Sequence, residues 1–203
     1  MQTKVCVLDY GAGNVASVAN MFSRFSEIKI SNLRQDILDA THLVLPGVGS
    51  FGASMKKIHE VLPLDFILSQ ISLGKPMLGI CVGMQVFAEK GIEFGLHAGL
   101  SLIKGEIAEL ETGGLRLPHV GWNSLESIKG HPIVNGITTD NDFYFVHSFA
   151  FRNIPDEFVI AEANYGTNFP AIVGIRNVVG VQFHPEKSQS NGARLVRNYL
   201  EIE

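Results

Sequence analysis

Cys81 stands in Leu78-Gly79-Ile80-Cys81-Val82-Gly83-Met84-Gln85, with a glycine two residues to either side, at the end of an apolar run that begins at Pro76. This is the cysteine form of the nucleophile elbow, in which a sharp strand-to-helix turn lifts the nucleophile clear of a sheet. The flanking glycines are needed because a side chain at either place would collide with the turn. A helix beginning at Val82, and predicted to run to Lys90, would aim backbone N–H groups at a thiolate. Such a nucleophile needs a base, and usually a third group to orient that base. Among seven histidines, His184 fits best: the strand Gly180-Val181-Gln182-Phe183 ends at His184-Pro185-Glu186, and Glu186 can reach back to the same imidazole. Addition of sulfur to a carbonyl also creates an oxyanion. The backbone N–H of Val82 is one expected donor, and the Gly47–Val48 backbone within Pro46-Gly47-Val48-Gly49 is another.

These residues must be carried by a sheet. Lys4–Asp9 is a nearly continuous apolar run of the kind buried on both faces, followed by the turn Tyr10-Gly11-Ala12-Gly13-Asn14 and by Val15, Val18, Met21, Phe22 and Phe25 at helical spacing. Further strands are predicted over Glu27–Ser31 and His42–Pro46, helices over Ser50–His59 and Pro63–Leu73, and then the elbow strand. Such alternation defines a parallel sheet with helices on both sides, whose ligands bind at the carboxyl ends of the strands. The glycine clusters 11–13, 47–49 and 79–83 all fall on that edge.

Beyond residue 95 short strands replace the alternation: Leu102–Glu109, Leu115–Val120, Phe143–Phe151, Phe158–Ala163, Ala171–Ile175 and Val178–Phe183. The last two, around Arg176-Asn177, read as a hairpin that extends the sheet in antiparallel fashion. A final helix is expected over Asn191–Glu201.

With 203 residues, 46% of them hydrophobic, the chain can bury a full two-faced sheet, and residues 1–203 read as a single domain. A net charge of -4 argues against a nucleic-acid partner. No apolar stretch reaches the roughly 20 residues of a membrane span, and no leader pattern opens the chain, so a cytoplasmic protein with no membrane partner is expected. Cys6 and Cys81 do not make a disulfide framework, and no metal-ligand spacing occurs, so reduced thiols, no metal and no cofactor are expected.

The segments Gly79-Ile-Cys-Val-Gly-Met-Gln85 and Gly180-Val-Gln-Phe-His-Pro-Glu-Lys-Ser188 resemble the class I, or triad, glutamine amidotransferases, whose cysteine, histidine and glutamate match Cys81, His184 and Glu186. Other segments narrow the likeness: Asp9-Tyr-Gly-Ala-Gly-Asn14, Leu45-Pro-Gly-Val-Gly49, Pro118-His-Val-Gly-Trp-Asn123, Phe143-Tyr-Phe-Val-His-Ser148 and Pro185-Glu-Lys-Ser-Gln189. Together they are similar to the glutaminase subunits of imidazole glycerol phosphate synthases over nearly the whole chain. Val82 and Val120 stand where members often carry Leu and Met, and Arg176-Asn177 replaces an expected Gly-Asn pair.

The resemblance implies an α/β fold: a flavodoxin-like three-layer sandwich with a mostly parallel central sheet and an antiparallel extension. It also implies the reaction. Cys81 attacks the side-chain amide of glutamine, His184 protonates the departing ammonia, Glu186 orients His184, and water hydrolyses the thioester to glutamate. By the same correspondence Gly49, Gln85, His147 and Ser148 contact the glutamine head group. Ammonia in water near neutrality is mostly ammonium, which is no nucleophile, so it must pass through a sheltered route to an acceptor. With no phosphate loop or second domain in view, that acceptor is expected on another protein. In the family it is a (β/α)₈-barrel cyclase, forming a heterodimer that makes an imidazole ring for histidine synthesis and releases an aminoimidazole carboxamide ribotide. Asn14, Trp122 and Lys187 are the expected interface residues, and partner ligand is expected to turn the Gly47–Val48 peptide into the oxyanion position.

Two other functions compete. Paralogous proteins on the same scaffold supply ammonia for surface-sugar modification, a difference that lies in the partner. Gly11-Ala12-Gly13-Asn14-Val15-Ala16 also fits a dinucleotide fingerprint, but Ser31-Asn32-Leu33 stand where an acidic ribose ligand is required.

Overall fold

A computed structural model describes residues 3–202. Its first half alternates as the sequence predicts: β1 (Lys4–Leu8), α1 (Val15–Phe22), β2 (Glu27–Ser31), α2 (Arg34–Asp39), β3 (His42–Gly47), α3 (Phe51–Val61), α4 (Leu64–Ser72), β4 (Met77–Cys81) and α5 (Val82–Gln85). The second half is built of short strands: β5 (Lys90–Gly91), β6 (His97–Ala98), β7 (Glu106–Glu109), β8 (His119–Ser124), β9 (Ser127–Ile128), β10 (Asp142–His147), β11 (Phe149–Arg152), β12 (Val159–Tyr165), β13 (Thr167–Ile175) and β14 (Val178–Val181). It ends in α6 (Gln189–Leu200).

The main sheet has eight strands in the order β2-β1-β3-β4-β14-β13-β12-β9. The first five are mutually parallel, and β13, β12 and β9 add an antiparallel wing. Strands β3, β4 and β14 are buried at every residue, as expected of parallel strands covered on both faces. The helices flank this sheet. From α6, the fully buried Tyr199 donates its hydroxyl to Leu43 O on β3 at 2.6 Å. The flavodoxin-like sandwich with an antiparallel extension is therefore the fold. Two smaller sheets, β10-β8 and β11-β7-β5-β6, stand beside it.

Several boundaries differ from the sequence expectation, each for a physical reason. The helix after Cys81 stops at Gln85 instead of reaching Lys90, because the carbonyls of Val86, Phe87, Ala88 and Glu89 accept from the N–H groups of Leu100, Ile103, Ser101 and Gly99 at 2.8–3.1 Å. Bonds to the same segment hold Leu102 and Ile103 out of strand β7. Strand β8 begins at His119, not Leu115: Leu115 N closes a turn on Thr112 O at 3.2 Å, and Pro118 has no N–H to give a ladder. Phe143–Phe151 is two strands parted at Ser148. Helix α2 has no sequence expectation because six residues with one buried side chain, Ile37, show no period. The β13–β14 hairpin forms as expected, with Arg176 at φ 53 taking the left-handed position that a glycine would favour. Its neighbour Asn177 anchors the turn by donating to Ile71 O and Lys75 O, both at 2.8 Å.

Candidate active site

At the elbow Cys81 adopts φ 55, ψ -115, a conformation that a non-glycine residue holds only when its surroundings enforce it. The enforcement comes from glycines. A Cβ on Gly83 would lie 1.9 Å from Leu45 O, one on Gly79 2.5 Å from Gly83 O, and one on Gly47 2.4 Å from Gly83 N. Backbones of β3, β4 and α5 thus touch directly, and Gly47 is required by that close approach. Gly13 in turn faces Val48 Cγ2, with a Cβ position 3.4 Å away. The three glycine clusters converge on one sheet edge, as the alternation predicted.

His184 and Glu186 meet beside this edge, with His184 Nδ1 and Glu186 Oε1 2.8 Å apart and both side chains almost fully buried. Burial alone would hold the imidazole below its usual range, but the Cys81 sulfur and the Glu186 carboxylate together raise it to about 9. The pairing thus favours the protonated imidazole, with Nδ1–H donating to Glu186. Its Nε2 is buried without a hydrogen-bond partner. Burial likewise works against the Glu186 carboxylate, but the paired His184 and a bond from Asn14 Nδ2 at 3.2 Å hold it below the ordinary range. Asn14 is only 8% exposed and faces inward to Glu186. Within this chain its side chain supports the carboxylate. The same contact ties the Gly11–Asn14 turn to the His184–Glu186 pair.

Beneath Cys81 lies a ladder of buried amides and imidazoles. Gln85 Nε2 donates to Phe149 O at 3.0 Å and to Gln182 Oε1 at 3.1 Å, and Gln182 Nε2 approaches Cys81 Sγ at 3.8 Å. Phe149 O also accepts from His147 Nδ1 at 2.9 Å. That fixes His147 Nε2 as an acceptor, met by His119 Nδ1–H at 3.1 Å, and His119 Nε2 accepts from Asn123 at 3.4 Å. Burial holds both imidazoles neutral, His119 lowered to about 4 and His147 to about 3. With both ring nitrogens of His147 engaged inside the protein, what remains for a ligand is its ring face and backbone.

A pocket of about 400 Å³ opens over Cys81. Val48, Gly49, Val82, Gln85, His147, Ser148 and His184 line it, so every residue expected to bind glutamine faces one cavity with the thiol. Gln182 is the member to which the sequence alone assigns no role. Its signal is a polar residue between apolar Val181 and Phe183, directly after a strand covered on both faces. Some distance along the surface, Trp122 is 48% exposed and packs edge-on against Tyr144 at 5.9 Å, while Lys187 Nζ sits 5.2 Å from the same ring. Trp122 and Lys187 are thus brought together on an open face. Cys6, by contrast, is fully buried in β1, where desolvation pushes its thiol up to about 11.

A profile of the family "Glutamine amidotransferase class-I" matches residues 6–202, and the chain belongs to that family. Within it, the chain is 43% identical over 201 residues to "Imidazole glycerol phosphate synthase subunit HisH 1" of Campylobacter jejuni strain RM1221, covering 98% of this chain and 100% of that one. It is 42% identical to the HisH subunit of Vibrio cholerae over 100% of both chains, and 40% identical to that of Aquifex aeolicus over 97% and 95%. Among solved structures, a protein described as a glutamine amidotransferase superposes with TM-score 0.76 at 20% identity, covering 98% and 97% of the two chains. A putative GMP synthase protein from Thermoplasma acidophilum does so with TM-score 0.73 at 21% identity, covering 100% and 94%. These last two likenesses are of fold.

Proposed function

We propose that this chain hydrolyses glutamine at Cys81 and passes the ammonia to a (β/α)₈-barrel cyclase, as the glutaminase subunit of an imidazole glycerol phosphate synthase in histidine biosynthesis. The observation that carries this reading is the pairing of a strained elbow cysteine with a cationic His184 held by Glu186. The full-length likeness to HisH subunits supports the choice of pathway over surface-sugar modification, and the engagement of Asn14 with Glu186 leaves the glycine turn serving the triad instead of a dinucleotide.

The chemistry follows from the charges. A cationic imidazole beside the sulfur stabilises a thiolate, which adds to the side-chain amide of glutamine. The oxyanion is received by the N–H of Val82 and by the Gly47–Val48 backbone once a bound partner has turned that peptide. His184 gives its proton to the leaving nitrogen, ammonia departs, and water attacks the thioester with His184 now as base. Gly49, Gln85, Ser148 and the backbone of His147 hold the amino-acid head group, and Trp122 and Lys187 meet the cyclase.

A glutamine analogue bearing a diazoketone in place of its amide tests the site directly. The expected result is one covalent adduct on the peptide containing Cys81, suppressed by excess glutamine. An adduct elsewhere, or none at any concentration, overturns the assignment.

A further inference from the structure

Resting on that reading of Cys81, we infer that Gln182 is a further catalytic residue, whose side-chain amide donates to the Cys81 sulfur in a direction dictated by Gln85. The direction is set at a backbone carbonyl. Phe149 O can only accept, so the Gln85 atom facing it at 3.0 Å is the amide nitrogen. The second hydrogen of that nitrogen points to Gln182, so the Gln182 atom 3.1 Å away is the oxygen. What Gln182 turns to the sulfur at 3.8 Å is therefore its NH₂ group. A donor there favours the thiolate, whereas the flipped amide would present an oxygen and favour the protonated thiol.

The surroundings leave little freedom for that flip. Gln182 is fully buried, and its backbone N–H is fixed to Ala171 O at 2.9 Å. Gln85 lines the pocket with both of its donors engaged, so its carbonyl oxygen is the group it can offer to a bound molecule. A ligand group that draws on Gln85 acts on the same amide chain that ends at the sulfur. Gln182 thus links occupancy of the pocket to the readiness of the nucleophile.

The test is the rate of alkylation of Cys81 by iodoacetamide in the full chain, read by peptide mass so that buried Cys6 is counted separately, over a range of pH. For Gln182→Met, similar in volume but without the donor, alkylation near neutral pH is expected to slow about tenfold, and its pH profile to move to the alkaline side. Gln85→Leu, which does not touch the sulfur but frees the Gln182 amide to turn, is expected to slow alkylation in the same direction. The double variant is expected to be no slower than Gln182→Met alone. A Gln182→Met chain that melts cooperatively and is alkylated at the wild-type rate overturns the proposal. Should that variant fail to fold, Gln85→Leu decides, and a wild-type rate there overturns it equally. Failure of the wider functional reading is a separate result, namely glutamate release that persists in Cys81→Ala.

Discussion

Asn14 Nδ2 and Glu186 Oε1 lie 3.2 Å apart although 172 residues separate them in the chain. This bond ties the turn after the first strand to the carboxylate that holds His184. Asn14→Ala is therefore predicted to lower kcat for glutamate release about tenfold, the worth of one hydrogen bond to a charged group, while affinity for the cyclase stays unchanged. A loss of partner affinity with kcat intact would instead assign Asn14 to the interface, as the family likeness implies.

His184 supplies a pH dependence. Its native value of about 9 lies above the ordinary 6.5. The stabilisation from its protonated form is complete below about 6.5 and is lost as pH rises through about 9. Glutamate release is expected to fall over the same alkaline range, because the general acid is lost. Glu186→Gln removes a cause of the upward shift, so the alkaline limb should move to lower pH. A limb that does not move in that variant contradicts the assignment of Glu186.

The elbow makes a stability prediction. Gly83→Ala places a Cβ 1.9 Å from Leu45 O, a backbone atom of a fully buried strand that has no room to give way. A loss of at least about 2 kcal/mol in a urea titration is expected, at the upper side of ordinary overpacking. Gly49→Ala tests the contrast: open space surrounds that position, and its cost comes from φ 100 alone. Equal stability of Gly83→Ala and wild type would show that the close approach of β3 to α5 is not needed.

The buried imidazoles act in the opposite direction from His184. His119 and His147, lowered to about 4 and about 3, stay neutral in the native chain while the unfolded chain takes up protons near 6.5. Their contribution to stability is present above about 6.5 and is lost as pH falls toward those native values. His119→Phe should be less stable at pH 7, since it leaves His147 Nε2 without its donor, yet lose less stability between pH 7 and pH 5. An unchanged difference between the two pH values would contradict the neutral, donor-to-acceptor chain.

Much of this was legible in the sequence because the information is local. Cys81 between Gly79 and Gly83, and His184 followed at once by Pro185-Glu186, announce their geometry within a few residues. Strands β1, β3 and β4 were equally plain, since strands buried on both faces are continuous apolar runs. What escaped depends on partners far along the chain. Val86, Phe87 and Ala88 suit a helix, but their carbonyls are captured by residues 100–103. The inward turn of Asn14 and the donation of Gln182 to sulfur rest on contacts across 172 and 101 positions, which no spacing rule can express.

The proposed role of Cys81 is to release ammonia from glutamine for a partner enzyme. Its most direct measurement is glutamate release by the chain alone and after addition of a (β/α)₈-barrel cyclase with its nucleotide substrate, in wild type and in Cys81→Ala. The predicted result is slow release alone, strong stimulation by the liganded partner, and no release from Cys81→Ala, which still binds the cyclase. Equal release with and without the partner, or release that survives loss of the thiol, would contradict it.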